Sequence, residues 1–150
     1  MTYMTIRNFI VLILVLIPLA GLAGCTPNYK TSDLHGTWIG QDETINSRGI
    51  SMTKKTVILN VEDNGLIKGT TSWDLIAGDG GNHIDKKTNK DSEPVIGVFE
   101  PSTGRFYLAE MDEPGFWQGE MISKTKARCF LVQTGPKPVV STIILERQSD

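Results

Sequence analysis

The sequence predicts an all-β domain, most simply an eight-strand antiparallel meander closed into a β-barrel. Three observations predict it. Beyond residue 33 no segment holds apolar residues at helical spacing for three turns. Short stretches instead alternate apolar and polar residues, the period of a strand with one buried face. Turn sequences rich in Gly, Asn and Pro separate these stretches at short intervals.

The strands follow in order. The first covers about residues 37–44. In the second, Val57, Leu59 and Val61 alternate with Ile58, Asn60 and Glu62. In the third, Ile67, Gly69, Thr71 and Trp73 share one face, opposite Leu66, Lys68, Thr70 and Ser72. Five more fall near 95–100, 105–112, 116–123, 127–133 and 139–147. Asn64-Gly65 joins two alternating segments and predicts a type I′ hairpin. Ser102-Thr103-Gly104 and Glu113-Pro114-Gly115 are further turns, the second with the Pro-Gly order of type II. Lys124-Thr125-Lys126 and Thr134 to Pro138 separate the last three strands.

Eight such strands without a covering helix leave two open edges, and closure removes them. Gly40, Gly69, Gly97 and Gly119 lie within strands and suit the close approaches that closure needs. A two-sheet β-sandwich is the alternative. An eight-strand interior is either filled by side chains or holds one small ligand.

The N-terminus carries its own signal. Arg7 precedes an apolar run from Phe9 to Leu22, broken by Pro18, and the run ends in Leu22-Ala23-Gly24-Cys25. Charge, apolar stretch and small residues in that order make a secretory signal, and the run is short for a membrane span. The last four residues resemble the lipobox of bacterial lipoproteins. That resemblance implies cleavage before Cys25, a diacylglycerol on its thiol, and acylation of the new amine. Two or more acyl chains make such an anchor stable. Residues 1–24 are then signal peptide, 25–33 a lipidated tether, and 34–150 one domain. Thr26 stands where, in Gram-negative lipoproteins, aspartate favours retention in the inner membrane. The expected address is the outer membrane, facing the periplasm.

Removing residues 1–24 leaves 126 residues, with 14 basic and 17 acidic side chains. That is enough for one domain. No basic stripe points to nucleic acid, so the expected partners are the membrane, through Cys25, and a small molecule or an envelope protein. Cys129 is the only other cysteine, and its alternating segment predicts a core thiol.

Candidate sites are few. Trp38, Trp73, Trp117 and Phe130 are aromatic residues able to line a barrel pocket or to fill a core. Gly78 to Glu93 reads as a long polar loop, a lid over one mouth. Its Asp79, Asn82 and Asp85 lack the calcium-loop pattern, and no metal or cofactor is expected. Glu110, Asp112, Glu113 and Glu120 surround one hairpin as a solvated rim or a hydrolytic pair. No nucleophile elbow or zinc motif is present, and no enzyme activity is expected.

Several strands resemble those of avidin and streptavidin. Gly36-Thr37-Trp38 resembles their first strand, Trp117-Gln118-Gly119-Glu120 their Trp-x-Gly-Gln strand, and Phe130-Leu131-Val132 their Trp-Leu-Leu strand. Ser141-Thr142-Ile143 is similar to a triplet of their last strand. The resemblance implies the barrel and not the ligand. Gly40 replaces the asparagine that reads the biotin ureido oxygen, the expected tyrosine falls near Thr71, and the expected aspartate near Arg147. Only Thr44, in place of a serine, keeps the chemistry. A site built on hydrogen bonds fails without its partners. Lipocalin-type barrels fit the meander nearly as well. The expectation is a non-catalytic binding module for a small apolar or amphipathic ligand, with a filled barrel that binds an envelope protein as the alternative.

Overall fold

The computed structural model describes residues 28–78, 88–136 and 138–149. The segment with Arg7 to Cys25 and the polar residues 79–87, with Asp79, Asn82, His83 and Asp85, lie outside them. After a short helix, α1 (Thr31–Leu34), eight strands follow: β1 (Gly36–Asn46), β2 (Gly49–Val61), β3 (Leu66–Gly78), β4 (Lys90–Glu100), β5 (Arg105–Glu110), β6 (Gly115–Ser123), β7 (Lys126–Gln133) and β8 (Val139–Arg147). Each pairs antiparallel with the next, and β8 returns to β1 to close the barrel. The meander barrel is as expected, and the sandwich is excluded.

Strand limits differ from expectation where polar residues alternate with polar ones. β2 begins at Gly49, and β4 begins at Lys90, inside the stretch read as a loop. Two turns also differ. Among the described residues none other than glycine has a positive φ, so Asn64 does not form a type I′ turn. Instead the Gly65 N–H donates to the Glu62 carbonyl, the Glu62 N–H to the Leu66 carbonyl, and Gly65 alone takes φ +83. This is the three-residue hairpin in which glycine fills the left-handed position. Gly115 lacks a positive φ, so Pro114 is not in a type II turn. Its neighbours close a tighter one, Gly115 N–H to Glu113 carbonyl at 2.7 Å.

Part of the expected tether is folded. Tyr29 and Leu34 are buried, and α1 caps one end of the barrel. The Tyr29 hydroxyl donates to the Met121 carbonyl (3.1 Å), and the Trp38 indole N–H to the Leu34 carbonyl (2.8 Å). Arg147, near which the avidin-type aspartate was expected, lies at this capped end. It donates to the carbonyls of Ser32, Asp33 and His35, satisfying the orphan acceptors of α1.

The interior changes character along the barrel axis. Near α1 the inward side chains are apolar: Val57, Leu59, Ile67, Phe99, Phe106 and Leu145, among others. Toward the opposite mouth the same strands turn polar inward. β2 runs Leu59, Val57, Lys55, Thr53, Ser51 along its buried face, and β8 runs Leu145, Ile143, Ser141. Hydrophobic burial therefore fastens one half, while the other holds a buried polar lining.

Candidate functional site

The polar half surrounds a cavity that opens at the mouth, between the walls formed by β1–β3 and β4–β8. It offers about 60 Å³ to the centres of water-sized molecules. One water needs roughly 10–15 Å³ on that measure, so a small organic group fits. The whole space between its walls, including the open mouth, is about 730 Å³.

On one wall, alternation in β2 carries Ser51, Thr53 and Lys55 inward. Lys55 is only 3% exposed, and its Nζ donates to Thr53 Oγ1 (2.6 Å) and Thr44 Oγ1 (2.9 Å). Thr44 in turn donates to Ser141 Oγ (3.2 Å), and Ser141 to the Glu43 carbonyl (3.1 Å). Thr44 and Thr53 share a hydrogen bond of 3.0 Å. Among the described residues no carboxylate forms an ion pair with Lys55. Burial lowers its amine to about 8, against a smaller opposing pull from Asp42 and Glu110.

The other wall is acidic. Glu110 of β5 accepts the Trp117 indole N–H on Oε1 (2.9 Å). Its Oε2 is buried against Gly115 with no hydrogen bond of ordinary geometry, and the Thr71 hydroxyl lies close enough to the carboxylate to lower its pKa. A Cβ on Gly115 would overlap that carboxylate, so any larger residue there must displace the Glu110 side chain. Burial raises the Glu110 pKa, the charge of Glu113 adds to the rise, and the bond from Trp117 opposes it. Glu93 of β4 accepts the Glu113 N–H at 3.2 Å. Burial, then the charges of Glu110 and Glu113, raise its carboxyl to about 7. The Gln133 amide donates to Glu113.

The four aromatic residues do not share a site. Trp73 and Trp117 both line the cavity. Trp38 is buried under α1 and belongs to the apolar half. Phe130 is a correction: it is 48% exposed on the outer wall, because its neighbours Cys129 and Leu131 take the inward positions of β7. Cys129 is a core thiol as expected, fully buried and raised by that burial to about 12.

The acidic hairpin divides in the same way. Glu110 and Glu113 line the cavity, while Asp112 and Glu120 are exposed. Thr44 and Thr71 line the mouth, whereas Gly40 and Arg147 do not. Lys55 and Glu93 escaped sequence reasoning. The period-2 signal for Lys55 is present, since Ser51, Thr53, Lys55, Val57 and Leu59 alternate without a break. Among the described residues no cluster of His, Cys, Asp and Glu has a geometry that holds a metal ion.

No family model and no curated protein matches the sequence. Among solved structures the chain is similar to a protein of unknown function from the DUF3598 family of Nostoc punctiforme. The TM-score is 0.51 at 18% identity, over 81% of this chain and 50% of that one. This chain thus spans half the length of that protein. It is also similar to a de novo designed fluorescence-activating β-barrel, with TM-score 0.49 and 14% identity over 79% of this chain and 96% of that one. A redesigned β-barrel bound to DFHBI gives 0.48 and 16% over 77% and 99%. At these identities the likeness is one of fold.

Proposed function

We propose that the chain is a lipid-anchored binding module of the cell envelope, holding a small amphipathic ligand in the mouth of its barrel. One observation carries this reading: the interior is packed with apolar side chains under α1 but turns to a polar-lined cavity at the opposite mouth. A barrel that served only as a scaffold gains nothing from a buried lysine facing a half-buried carboxylate across a cavity. Trp73, Trp117 and Leu131 supply the apolar part of the lining, and Lys55, Glu93 and Glu110 its polar part. That mixture favours an amphipathic ligand over a purely apolar one.

The anchor is supported by Arg7, the apolar run and Leu22-Ala23-Gly24-Cys25. The proposed location is the outer membrane, on the periplasmic side. Native mass spectrometry of the protein from the cells that make it tests the binding reading. The expected spectrum has an added small-molecule mass that Trp117→Ala loses while the domain stays folded. A bare protein mass, or an added mass indifferent to Trp117, overturns it. Cys25→Ala is expected to release the protein from membranes.

A second reading, an interaction protein, has one observation of its own. Leu66, Ile96, Val98, Tyr107 and Phe116 form a continuous exposed apolar patch on the outer wall, where Tyr107 stacks on Phe116 at 6.0 Å. Tyr107→Lys removes a co-purifying protein under that reading and leaves small-molecule binding intact.

A further inference from the structure

We infer that Lys55 captures a carbonyl ligand covalently: its amine condenses reversibly with the aldehyde or ketone of a small molecule that enters the mouth. This names the ligand class of the proposed site and rests on that reading.

The geometry around Lys55 fits an amine better than an ammonium. A neutral amine has two N–H bonds and one lone pair, and an ammonium has three N–H bonds. Two acceptors face Nζ, Thr53 Oγ1 at 2.6 Å and Thr44 Oγ1 at 2.9 Å. The hydroxyl hydrogens lead away from the amine. Thr44 donates to Ser141 and Ser141 to the Glu43 carbonyl, so the hydrogen shared by Thr53 and Thr44 runs toward Thr44. Both threonine oxygens therefore offer lone pairs to Lys55. The two N–H bonds are used on the wall, and the nitrogen lone pair is left for the cavity that Lys55 lines.

An ammonium here would bring a third N–H and a full charge to a position 3% exposed, with no ion pair among the described residues. Burial lowers the amine to about 8, so roughly one molecule in ten carries the free base at pH 7. For an ordinary lysine the fraction is on the order of one in 2,500.

The rest of the cavity suits the condensation. Nζ attacks the carbonyl carbon, and a proton passes from nitrogen to oxygen to give a carbinolamine. The nitrogen lone pair then expels the hydroxyl, which leaves as water with a proton from a carboxylic acid of the cavity. Glu93, raised to about 7, holds and returns such a proton near neutrality. The product is an iminium, hydrolysed by the reverse steps. No oxidant or reductant takes part. Asp42 from β1, Asp91 and Glu93 from β4, Glu110 from β5 and Glu113 beyond it are acidic groups near the mouth. They favour a cationic adduct and oppose a free anion. A neutral carbonyl compound is therefore admitted where a carboxylate ligand meets repulsion.

The size of the cavity, about 60 Å³ for the centres of water-sized molecules, selects the probe. Butanal with cyanoborohydride at pH 7 converts any iminium to a stable N-butyl amine, located by peptide mass mapping of the purified full chain. The expected result is butylation of Lys55 at least about tenfold faster than of the exposed Lys54 and Lys68. Lys55→Arg is expected to lose the fast site, but the wild-type map alone decides the matter if that variant fails to fold. Labelling of Lys55 no faster than Lys54 overturns the inference. Butan-1-ol, which cannot condense, separates this from the binding reading through the indole N–H signals of Trp73 and Trp117. Shifts with butan-1-ol and no adduct on Lys55 refute carbonyl capture alone. No shift and no adduct refute both.

Discussion

Replacing Lys55 with methionine isolates the cost of a buried cation that has hydrogen bonds but, among the described residues, no ion pair. Its amine falls from 10.5 to about 8 on folding. At about 1.4 kcal/mol per unit, the protonated lysine destabilises the folded state by about 3 kcal/mol. The sign follows from proton counts. Below pH 8 both states are protonated and the full cost is present. Between pH 8 and 10.5 the folded state releases its proton while the unfolded chain keeps it, so stability rises with pH. By pH 10 most of the cost has gone. Methionine removes the charge at every pH but forfeits the bonds to Thr44 and Thr53, at roughly 0.5–1.5 kcal/mol each. The variant is therefore expected to be about 1 kcal/mol more stable than wild type at pH 7. At pH 10 it becomes less stable by about 1–2 kcal/mol. Urea denaturation of both proteins from pH 6 to 10 measures this, and the titrating groups common to both cancel in the difference. A difference that stays flat with pH, or a variant weaker by about 3 kcal/mol at pH 7, refutes the reasoning, because Lys55 would then be a well-paired ammonium.

Three further outcomes follow from the same geometry. Glu93, raised to about 7, contributes stability that is complete below pH 4.5 and lost as the pH rises through 7. Glu93→Gln should flatten that part of the curve, and an unchanged slope contradicts the placement. Gly115→Ala pushes a Cβ into the Glu110 carboxylate, so a loss of roughly 1–3 kcal/mol is expected together with a shifted Trp117 indole N–H. A silent substitution shows that Glu110 lies elsewhere. Cys129, fully buried and raised to about 12, should resist iodoacetamide in the folded protein and react only on unfolding. Alkylation without unfolding removes it from the core.

The barrel was legible because antiparallel strands announce themselves locally. Val57, Leu59 and Val61 in one stretch and Ile67, Thr71 and Trp73 in the next mark their buried faces without reference to any partner. What lies along the barrel axis is set by pairing between strands. Trp38 and Trp117 look alike in sequence, yet the register with β8 puts the first under α1 and that with β5 puts the second beside Glu110. Phe130 misleads for a different reason. A barrel wall tolerates apolar side chains outside, and strict alternation from Cys129 would have placed it there. Lys55 went unseen because a strand was expected only where apolar residues alternate, whereas β2 continues into Thr53 and Ser51 with the same period. Helix α1, at four residues, is too short to show a helical period. Tyr29, an apolar residue within the stretch read as tether, and Leu34, just beyond it, were the only signal that this segment packs on the barrel.

The central claim is that the polar mouth is built to be occupied, and a crystal structure of the protein isolated from its own cells tests it most directly. Non-solvent density is expected among Lys55, Trp73 and Trp117, continuous with Nζ of Lys55 if a carbonyl compound is bound. A mouth closed by its own side chains, with Lys55 in direct contact with Glu110 and no space between them, would contradict it.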